Sequence, residues 1–478
     1  MFFSVYSLGC KLNQLESEAV SDSFGRAGFE LLPWNRAGKG GGGAAKASIL
    51  IINTCTVTSM AEQKARRIIR KALREEPEAC IIITGCYAQM EEAALAALEA
   101  EAPAARADGP PANEAPARRL FVLPGDKKDR LLDLPGFLGG VDKGVSGKSQ
   151  SLLPPLSGHI AAFFSVLAEE NEYIDGSFRF RPESFSSHSR AFIKIQDGCD
   201  NSCAYCRVSI ARGKSRSLGA EEVLKELKSL EEKSFSEAVL TGVNICQYRD
   251  RDMALPELLD FLLRGSKMIR LRLSSIEPEA LDDNFFRVLE NPRIRPHFHL
   301  SLQSGSASVL ERMGRPYSPS CVEKAIDRLR SVRENPFLAC DIITGFPGES
   351  EKDFEETYEF CEKARFAWIH VFPFSPRPGT RAYSFPGRLP EREVSARAER
   401  LNSLAQRGRR DYIESSLGKE VEAVFEISGA LSENYLKLFI NPGAESAPAP
   451  GSLIRCRIHS LPGDKTPQLF DALGERLT

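Results

Sequence analysis

The stretch Gln196-Asp-Gly-Cys199-Asp-Asn-Ser-Cys203-Ala-Tyr-Cys206 places three cysteines on one short segment with the spacing C-x3-C-x2-C, directly after the apolar run 192–195. A reducing compartment disfavours structural disulfides, so cysteines grouped this tightly point to metal or redox chemistry. Three thiolates on one loop can hold three corners of a [4Fe–4S] cube and leave the fourth iron open to an outside ligand. Zinc is the competing occupant. A structural zinc site asks for four protein ligands, and the neighbours Asp200 and Tyr205 are poor candidates for the fourth.

Downstream of this loop the pattern is regular. β-prone apolar segments at 192–195, 238–240, 269–273, 297–302, 339–343 and 370–374 alternate with segments of helical spacing such as 220–230, 256–263, 321–332 and 351–364. Six βα units predict a parallel, partly closed barrel whose chemistry sits at the strand carboxyl ends. An Arg-rich helical segment, 391–412, leads to a β-rich tail. There the alternation in Val421-Glu-Ala-Val-Phe-Glu-Ile427 and Leu453-Ile-Arg-Cys-Arg-Ile458 fits a small barrel.

Upstream, 2–8 reads as a strand and 13–26 as a helix that stops at Gly28; 49–52 is a buried strand followed by a loop with Cys55. Ser59-x-x-Glu62 resembles a capping box opening a helix to about residue 74, and 80–84 is another buried strand with Cys86 after it. Three strand ends each deliver a cysteine: Cys10, Cys55 and Cys86. In a βαβ layout the carboxyl ends of the strands share one rim, so these three are expected to meet. The Gly-rich 39–46, the Ala/Pro-rich 99–116 and the mixed 139–188 read as inserts or linkers, although 160–167 has the content to pack locally.

The 478 residues carry a net charge of −2 and are 42% hydrophobic, so whole-chain charge suggests no partner and several packed cores are affordable. No apolar run reaches the length of a membrane span, and the start lacks a basic n-region, so a soluble, cytoplasmic protein with no membrane partner is expected. None of the six histidines has metal-ligand spacing; His297 and His299, flanking Phe298, read as structural. Cys80, Cys246, Cys321, Cys340, Cys361 and Cys456 read as inert thiols. Local charge marks three candidate phosphate contacts: the acid-free run Lys64 to Arg74, the group Arg212, Lys214 and Arg216, and the arginines between 388 and 410.

The cysteine loop after the first barrel strand resembles that of the radical S-adenosylmethionine (radical SAM) superfamily. The resemblance extends to the methylthiotransferases and covers nearly the whole chain. It is carried by Ser7-Leu-Gly-Cys10-Lys-Leu-Asn-Gln14, Ile52-Asn-Thr-Cys55-Thr-Val-Thr58, Thr84-Gly-Cys86-Tyr-Ala-Gln89, Leu240-Thr-Gly-Val-Asn244, Arg272-Leu-Ser-Ser-Ile-Glu-Pro278, Leu300-Ser-Leu-Gln-Ser-Gly305, Asp341-Ile-Ile-Thr-Gly-Phe-Pro-Gly-Glu349 and His370-Val-Phe-Pro-Phe-Ser-Pro-Arg-Pro-Gly-Thr380. It implies an α/β chain of three parts. A flavodoxin- or Rossmann-like methylthiotransferase domain would occupy 1–138, followed by a linker or insert at 139–188. A partial (βα)6 radical SAM core would occupy 189–412, and a TRAM-like RNA-binding β-barrel 413–478. From Ile413 onward the tail is net acidic, so its RNA role rests on the resemblance alone.

The resemblance also implies chemistry. One [4Fe–4S] cluster on Cys199, Cys203 and Cys206 would reductively cleave S-adenosylmethionine to a 5′-deoxyadenosyl radical. A second, on Cys10, Cys55 and Cys86, would deliver sulfur, with a methyl group from another S-adenosylmethionine. Tyr205 would pack near the cofactor adenine, Thr241 and Gly242 would offer backbone, Glu277 and Gln303 hydrogen bonds, and Gly345 and Phe346 a surface for the adenine. Cys246 stands where the family usually has Gly and is read as a small-residue replacement. The N-terminal motifs resemble the branch that converts N6-threonylcarbamoyladenosine at tRNA position 37 into its 2-methylthio form. A low-potential electron donor such as flavodoxin or ferredoxin and a sulfur donor are then expected partners. The alternatives are family members acting on isopentenyladenosine or a ribosomal protein, and a noncatalytic RNA-binding protein whose cysteines hold zinc.

Overall fold

The computed structural model describes residues 1–34, 46–101, 118–139, 153–170, 176–185, 189–427, 429–440, 448–463 and 469–477. Most of 39–46 and 99–116, and parts of 139–188, lie outside these described residues. The chain divides into two compact units, Met1–Ser187 with Arg207–Gly213, and His188–Cys206 with Lys214–Thr478.

In the first unit five parallel strands run in the order Glu30–Leu31, Phe2–Ser7, Ile49–Thr54, Cys80–Gly85, Leu120–Val122. This is the doubly wound flavodoxin-like order, whose binding crevice lies outside the carboxyl ends of the central strands. Ile49–Thr54 and Cys80–Gly85 are buried along their whole length, which is why they read as unbroken apolar runs rather than alternating ones. Alternate residues serve opposite faces. Phe3, Ile49, Ile51 and Ile82 pack with Val20 and Phe24 of helix Lys11–Arg26, and with Ile160 and Phe163 of helix Leu153–Glu169. Leu50, Ile52, Ile81 and Ile83 pack with Ala65, Ile69 and Leu73 of helix Ser59–Glu75.

Two local features refine the expectations. Helix Leu153–Glu169 packs in the core of the first unit through Ile160, Phe163 and Leu167, the part of 139–188 whose content suited local packing, and it extends that packing to Leu156. Thr58 rather than Ser59 caps helix Ser59–Glu75, its Oγ1 accepting from the Ala61 N–H at 3.1 Å, while Glu62 accepts a 2.5 Å bond from the Thr56 hydroxyl.

The second unit contains six parallel strands, Ala191–Lys194, Glu237–Thr241, Arg270–Leu273, His297–Gln303, Phe337–Thr344 and Trp368–Pro373. They form two three-stranded sheets linked by a parallel bridge between Ile276 and Leu300, the partly closed barrel expected from the six repeats. Helix Glu391–Ser416 leads to a closed five-stranded barrel ordered Glu420–Glu426, Gly429–Ser432, Lys437–Ile440, Ala472–Arg476, Leu453–Ser460.

This small barrel is fixed to the amino-terminal end of the larger one by a buried charge network. Glu237 accepts from Arg272 Nε at 2.7 Å and Arg295 Nε at 2.9 Å. Arg272 continues to the carbonyls of Ser432 and Glu433, and Arg295 to the Glu422 carboxylate at 2.8 Å. Both arginine side chains are fully buried, so each charge is compensated by hydrogen bonds, as burial requires. The carboxyl ends of the six strands are thereby left for chemistry.

Candidate active site

In the first unit, Cys10, Cys55 and Cys86 each follow a central strand and share one electrostatic neighbourhood: Cys55 feels the charges of Cys10 and Cys86, and Cys10 that of Cys86. Glycines permit the approach. Gly9, at φ +111°, carries no Cβ; one placed there would lie 2.7 Å from Cys55 Cβ and 3.0 Å from its Sγ. Asn13 ties two strand ends together, its Nδ2 donating to the carbonyls of Leu8 at 2.7 Å and Thr54 at 2.9 Å. Burial pushes the Cys55 thiol up to about 12, so a metal that binds there must displace its proton.

Arg212 supplies the compensating cation. Its Nε donates to Cys86 Sγ at 3.2 Å, and its terminal nitrogens donate to Asn13 Oδ1 at 3.0 Å and Glu16 Oε1 at 3.1 Å. Lys128 meets the same Glu16 oxygen at 2.5 Å. The reading of Arg212 as a phosphate contact is therefore corrected: this buried side chain is spent inside the fold on the cysteine group. Three converging thiols with a guanidinium hydrogen bond to one sulfur are a donor set that fits a cluster bound by three cysteines.

In the second unit, Cys199, Cys203 and Cys206 are half-buried on a loop held by backbone bonds from Ala204 N to Met313 O and from Ala382 N to Ala204 O, both 2.8 Å. Arg315 NH1 donates to Cys203 Sγ at 3.2 Å, Arg315 also pairs with Glu277, and its Nε donates to the Tyr317 hydroxyl at 2.9 Å. Asn244 Nδ2 reaches Glu277 Oε1 at 3.4 Å. Burial pushes the Glu277 carboxyl up to about 7, against the pull of Arg315. The Cys246 sulfur accepts the Glu277 backbone N–H at 3.3 Å. These thiols too suit a three-cysteine cluster with an open iron.

The other residues singled out by sequence lie in this unit. Tyr205 packs on an apolar group with Val309, Met313, Ile343 and Phe346. Phe346 is fully buried, edge-on to Phe374 and Phe385. Thr241 ends a barrel strand and its carbonyl accepts from Ile195 N at 3.0 Å. Gly242 is pressed on Gln196, whose Oε1 would lie 2.8 Å from an added Cβ. Gln303 holds φ +68° where its strand loses register with the next, and Gly345 holds φ +75° against Val394.

The basic segments differ in availability. Tyr6, Arg66, Arg67, Arg70, Lys71 and Arg74 line an open groove on helix Ser59–Glu75. The Arg-rich helix Glu391–Ser416 instead spends much of its charge internally: Arg397 on Glu349, Arg400 on Glu355 and Arg409 on Asp471. Sequence reading missed Arg315 and the group His299, Asp341 and His370, whose ligand-type atoms all lie within 4.8 Å of one another. Asp341 and His370 open two of the motifs quoted above, but nothing in the sequence ties either to His299; alternation along 297–303 was the available signal.

Comparison with known proteins agrees with this picture. Residues 193–361 match the radical SAM superfamily, and residues 3–105 an uncharacterized protein family, UPF0004. Threonylcarbamoyladenosine tRNA methylthiotransferase MtaB of Treponema pallidum is 39% identical over 95% of this chain and 98% of its own length. The MtaB of Thermotoga maritima is 34% identical over 91% and 90%. A tRNA-2-methylthio-N(6)-dimethylallyladenosine synthase of Anaeromyxobacter is 31% identical over 95% and 92%. With nearly end-to-end similarity, and with both cysteine groups on the elements described above, the chain belongs to the radical SAM methylthiotransferase family that includes the MtaB enzymes.

Proposed function

We propose that this chain attaches a methylthio group to C2 of N6-threonylcarbamoyladenosine at position 37 of tRNA. The observation that carries this reading is the convergence of Cys10, Cys55 and Cys86 at three strand ends, in a chain that also bears the C-x3-C-x2-C loop. Six MtaB enzymes at 30% to 39% identity support the choice of nucleoside.

Cys199, Cys203 and Cys206 would hold one [4Fe–4S] cluster and Cys10, Cys55 and Cys86 a second, each with an iron left open for a non-protein ligand. When bound, these clusters and S-adenosylmethionine supply the radical, sulfur and methyl that functionalise an adenine C2–H beyond the reach of base catalysis. Arg315 and Arg212 each give one sulfur an N–H bond, which orients the thiolate and offsets its charge. Glu277, positioned by Arg315 and Asn244, binds polar groups of the cofactor, as do Gln303 and the backbone at Thr241 and Gly242. Tyr205 and Gly345 border its adenine, with Phe346 as the apolar support behind them. The groove on helix Ser59–Glu75 and the C-terminal barrel contact tRNA. A low-potential flavodoxin or ferredoxin supplies electrons, a separate donor supplies sulfur, and the reaction is cytoplasmic. Among the described residues no helix is long and apolar enough to cross a membrane.

The test is nucleoside analysis of tRNA from cells with and without this gene. The 2-methylthio-threonylcarbamoyl product should vanish on deletion and return on complementation. Purified anaerobically, the protein should carry about eight irons in two cubes. One or two zincs with no 5′-deoxyadenosine release would establish the noncatalytic alternative instead.

A further inference from the structure

On parallel strands His297–Gln303, Phe337–Thr344 and Trp368–Pro373, alternate residues share a face, and on one face His299, Asp341 and His370 meet. Asp341 stands opposite His370 in the register. His299 Nε2 lies 3.0 Å from Asp341 Oδ1, and its Nδ1 lies 3.0 Å from Ser275 Oγ. The His299 and His370 rings are 5.1 Å apart, and His370 Nδ1 accepts the Trp368 indole N–H at 3.2 Å. Asp341 is also close enough to Glu277 to act on its charge, so the group adjoins the residue assigned above to the cofactor.

The hydrogen bonds set the protons. A neutral His299 gives its Nε2–H to Asp341 and accepts the Ser275 hydroxyl at Nδ1. In His370 the nitrogen that accepts the indole N–H carries no proton of its own, which leaves a proton on Nε2. A cation at this place would have to displace the His299 proton and part it from Asp341, so the existing bonds favour a hydrogen-bonding wall over a metal site. His299 and Asp341 are about four-fifths buried, whereas His370 is exposed on the edge strand of its sheet. His299 is already engaged by Asp341, whereas the exposed His370 ring is the one an incoming polar group can reach, with its N–H as donor.

We propose that His370, backed by His299, Asp341 and Ser275, receives the polar N6 substituent of the substrate and distinguishes it from an apolar one. This rests on the function proposed above. A threonylcarbamoyl group carries a carboxylate, a hydroxyl and a urea, all able to pair with such a wall, and a dimethylallyl group carries none. Any hydrogen bond of the ring in the free protein is exchanged for one to the substrate. Sites built to hydrogen-bond a substituent reject analogues that lack it, because their polar groups are left unpaired.

The experiment compares reconstituted wild type and His370→Phe on anticodon stem-loop RNAs carrying threonylcarbamoyladenosine or dimethylallyladenosine. His370→Phe is expected to lower kcat/KM on the first RNA by about 10- to 100-fold, mainly through KM, and to narrow its preference over the second. His370→Asn, which restores a donor, should recover part of the loss. An unchanged preference, an equal loss on both RNAs, or one zinc per chain that disappears in the variant would overturn the assignment. Wild type inactive on the first RNA would bring down the proposed function and this inference together; wild type active with preference intact in the variant would bring down this inference alone.

Discussion

Arg212 Nε donates to Cys86 Sγ at 3.2 Å, and the same guanidinium reaches Glu16 and Asn13, so one buried cation serves a cysteine from one strand end and the asparagine that ties two others. Glu16 keeps Lys128 when Arg212 is removed, so Arg212→Met tests the sulfur contact more than the buried carboxylate. With Cys199, Cys203 and Cys206 changed to Ala, iron reports the second group alone, about four per chain. Arg212→Met in that background should at least halve the iron retained after gel filtration and shift the cluster's electron paramagnetic resonance signal. Full iron with an unaltered spectrum would assign Arg212 a purely structural role.

Gly9 makes the approach of Cys10 to Cys55 possible, and its φ of +111° is open to glycine at little cost. Gly9→Ala must relieve a contact 2.7 Å from Cys55 Cβ and leave a strained backbone, at a cost of about 1–3 kcal/mol. The expected result is a folded protein by circular dichroism that reconstitutes the radical cluster and not the second one, reading as half the wild-type iron. Wild-type iron in the variant would show that the backbone there adjusts freely.

What the sequence disclosed follows from how locally each feature is encoded. Cys199, Cys203 and Cys206 share one loop, and Cys10, Cys55 and Cys86 sit at matching places after three apolar strands, so periodicity plus topology brought them together without a contact map. Arg212 and Arg315 are different. Each is an ordinary arginine whose sequence neighbours single it out for no metal role, and only tertiary packing turns Arg212 from a candidate phosphate contact into the partner of Cys86. Of helix Leu153–Glu169 the apolar stretch 160–167 was legible and the bounds were not, because the Gly- and Pro-rich surroundings dominate composition over a wider window. His299, Asp341 and His370 lie on three strands whose register no motif encodes.

Glu237 predicts a distinct acid response. Burial opposes its ionisation, yet Arg272 and Arg295 hold its carboxyl down to about 2 from an ordinary 4.5. A carboxyl with a depressed folded value contributes its stability above pH 4.5 and loses it as pH falls towards 2, an amount of about 3 kcal/mol. Glu237→Gln leaves two buried guanidinium groups short of a counter-charge and should cost about 3–5 kcal/mol at pH 7. Chemical denaturation of wild type and variant between pH 7 and 3 would show the two curves converging as acid removes what the variant already lacks. Parallel curves would mean that Glu237 does not titrate in this range.

The groove on helix Ser59–Glu75 makes the last prediction. Arg66 is engaged by the Tyr87 hydroxyl at 2.5 Å, Arg70 by Glu101 at 2.9 Å and Lys71 by Glu75 at 3.7 Å, and the last two pairs are surface contacts that screen easily. Arg67 lines the same groove. Phosphates bound there release counterions, so affinity should fall steeply with salt. Changing Arg67 and Arg70 to Glu should weaken tRNA binding at least tenfold at moderate salt, and each lost phosphate contact should flatten the plot of log affinity against log salt by about one unit. Because these side chains lie away from both cysteine groups in sequence and bind no sulfur, iron content should stay at the wild-type level. Unchanged affinity and slope would remove this face from the tRNA interface and leave the C-terminal barrel as the surface to test.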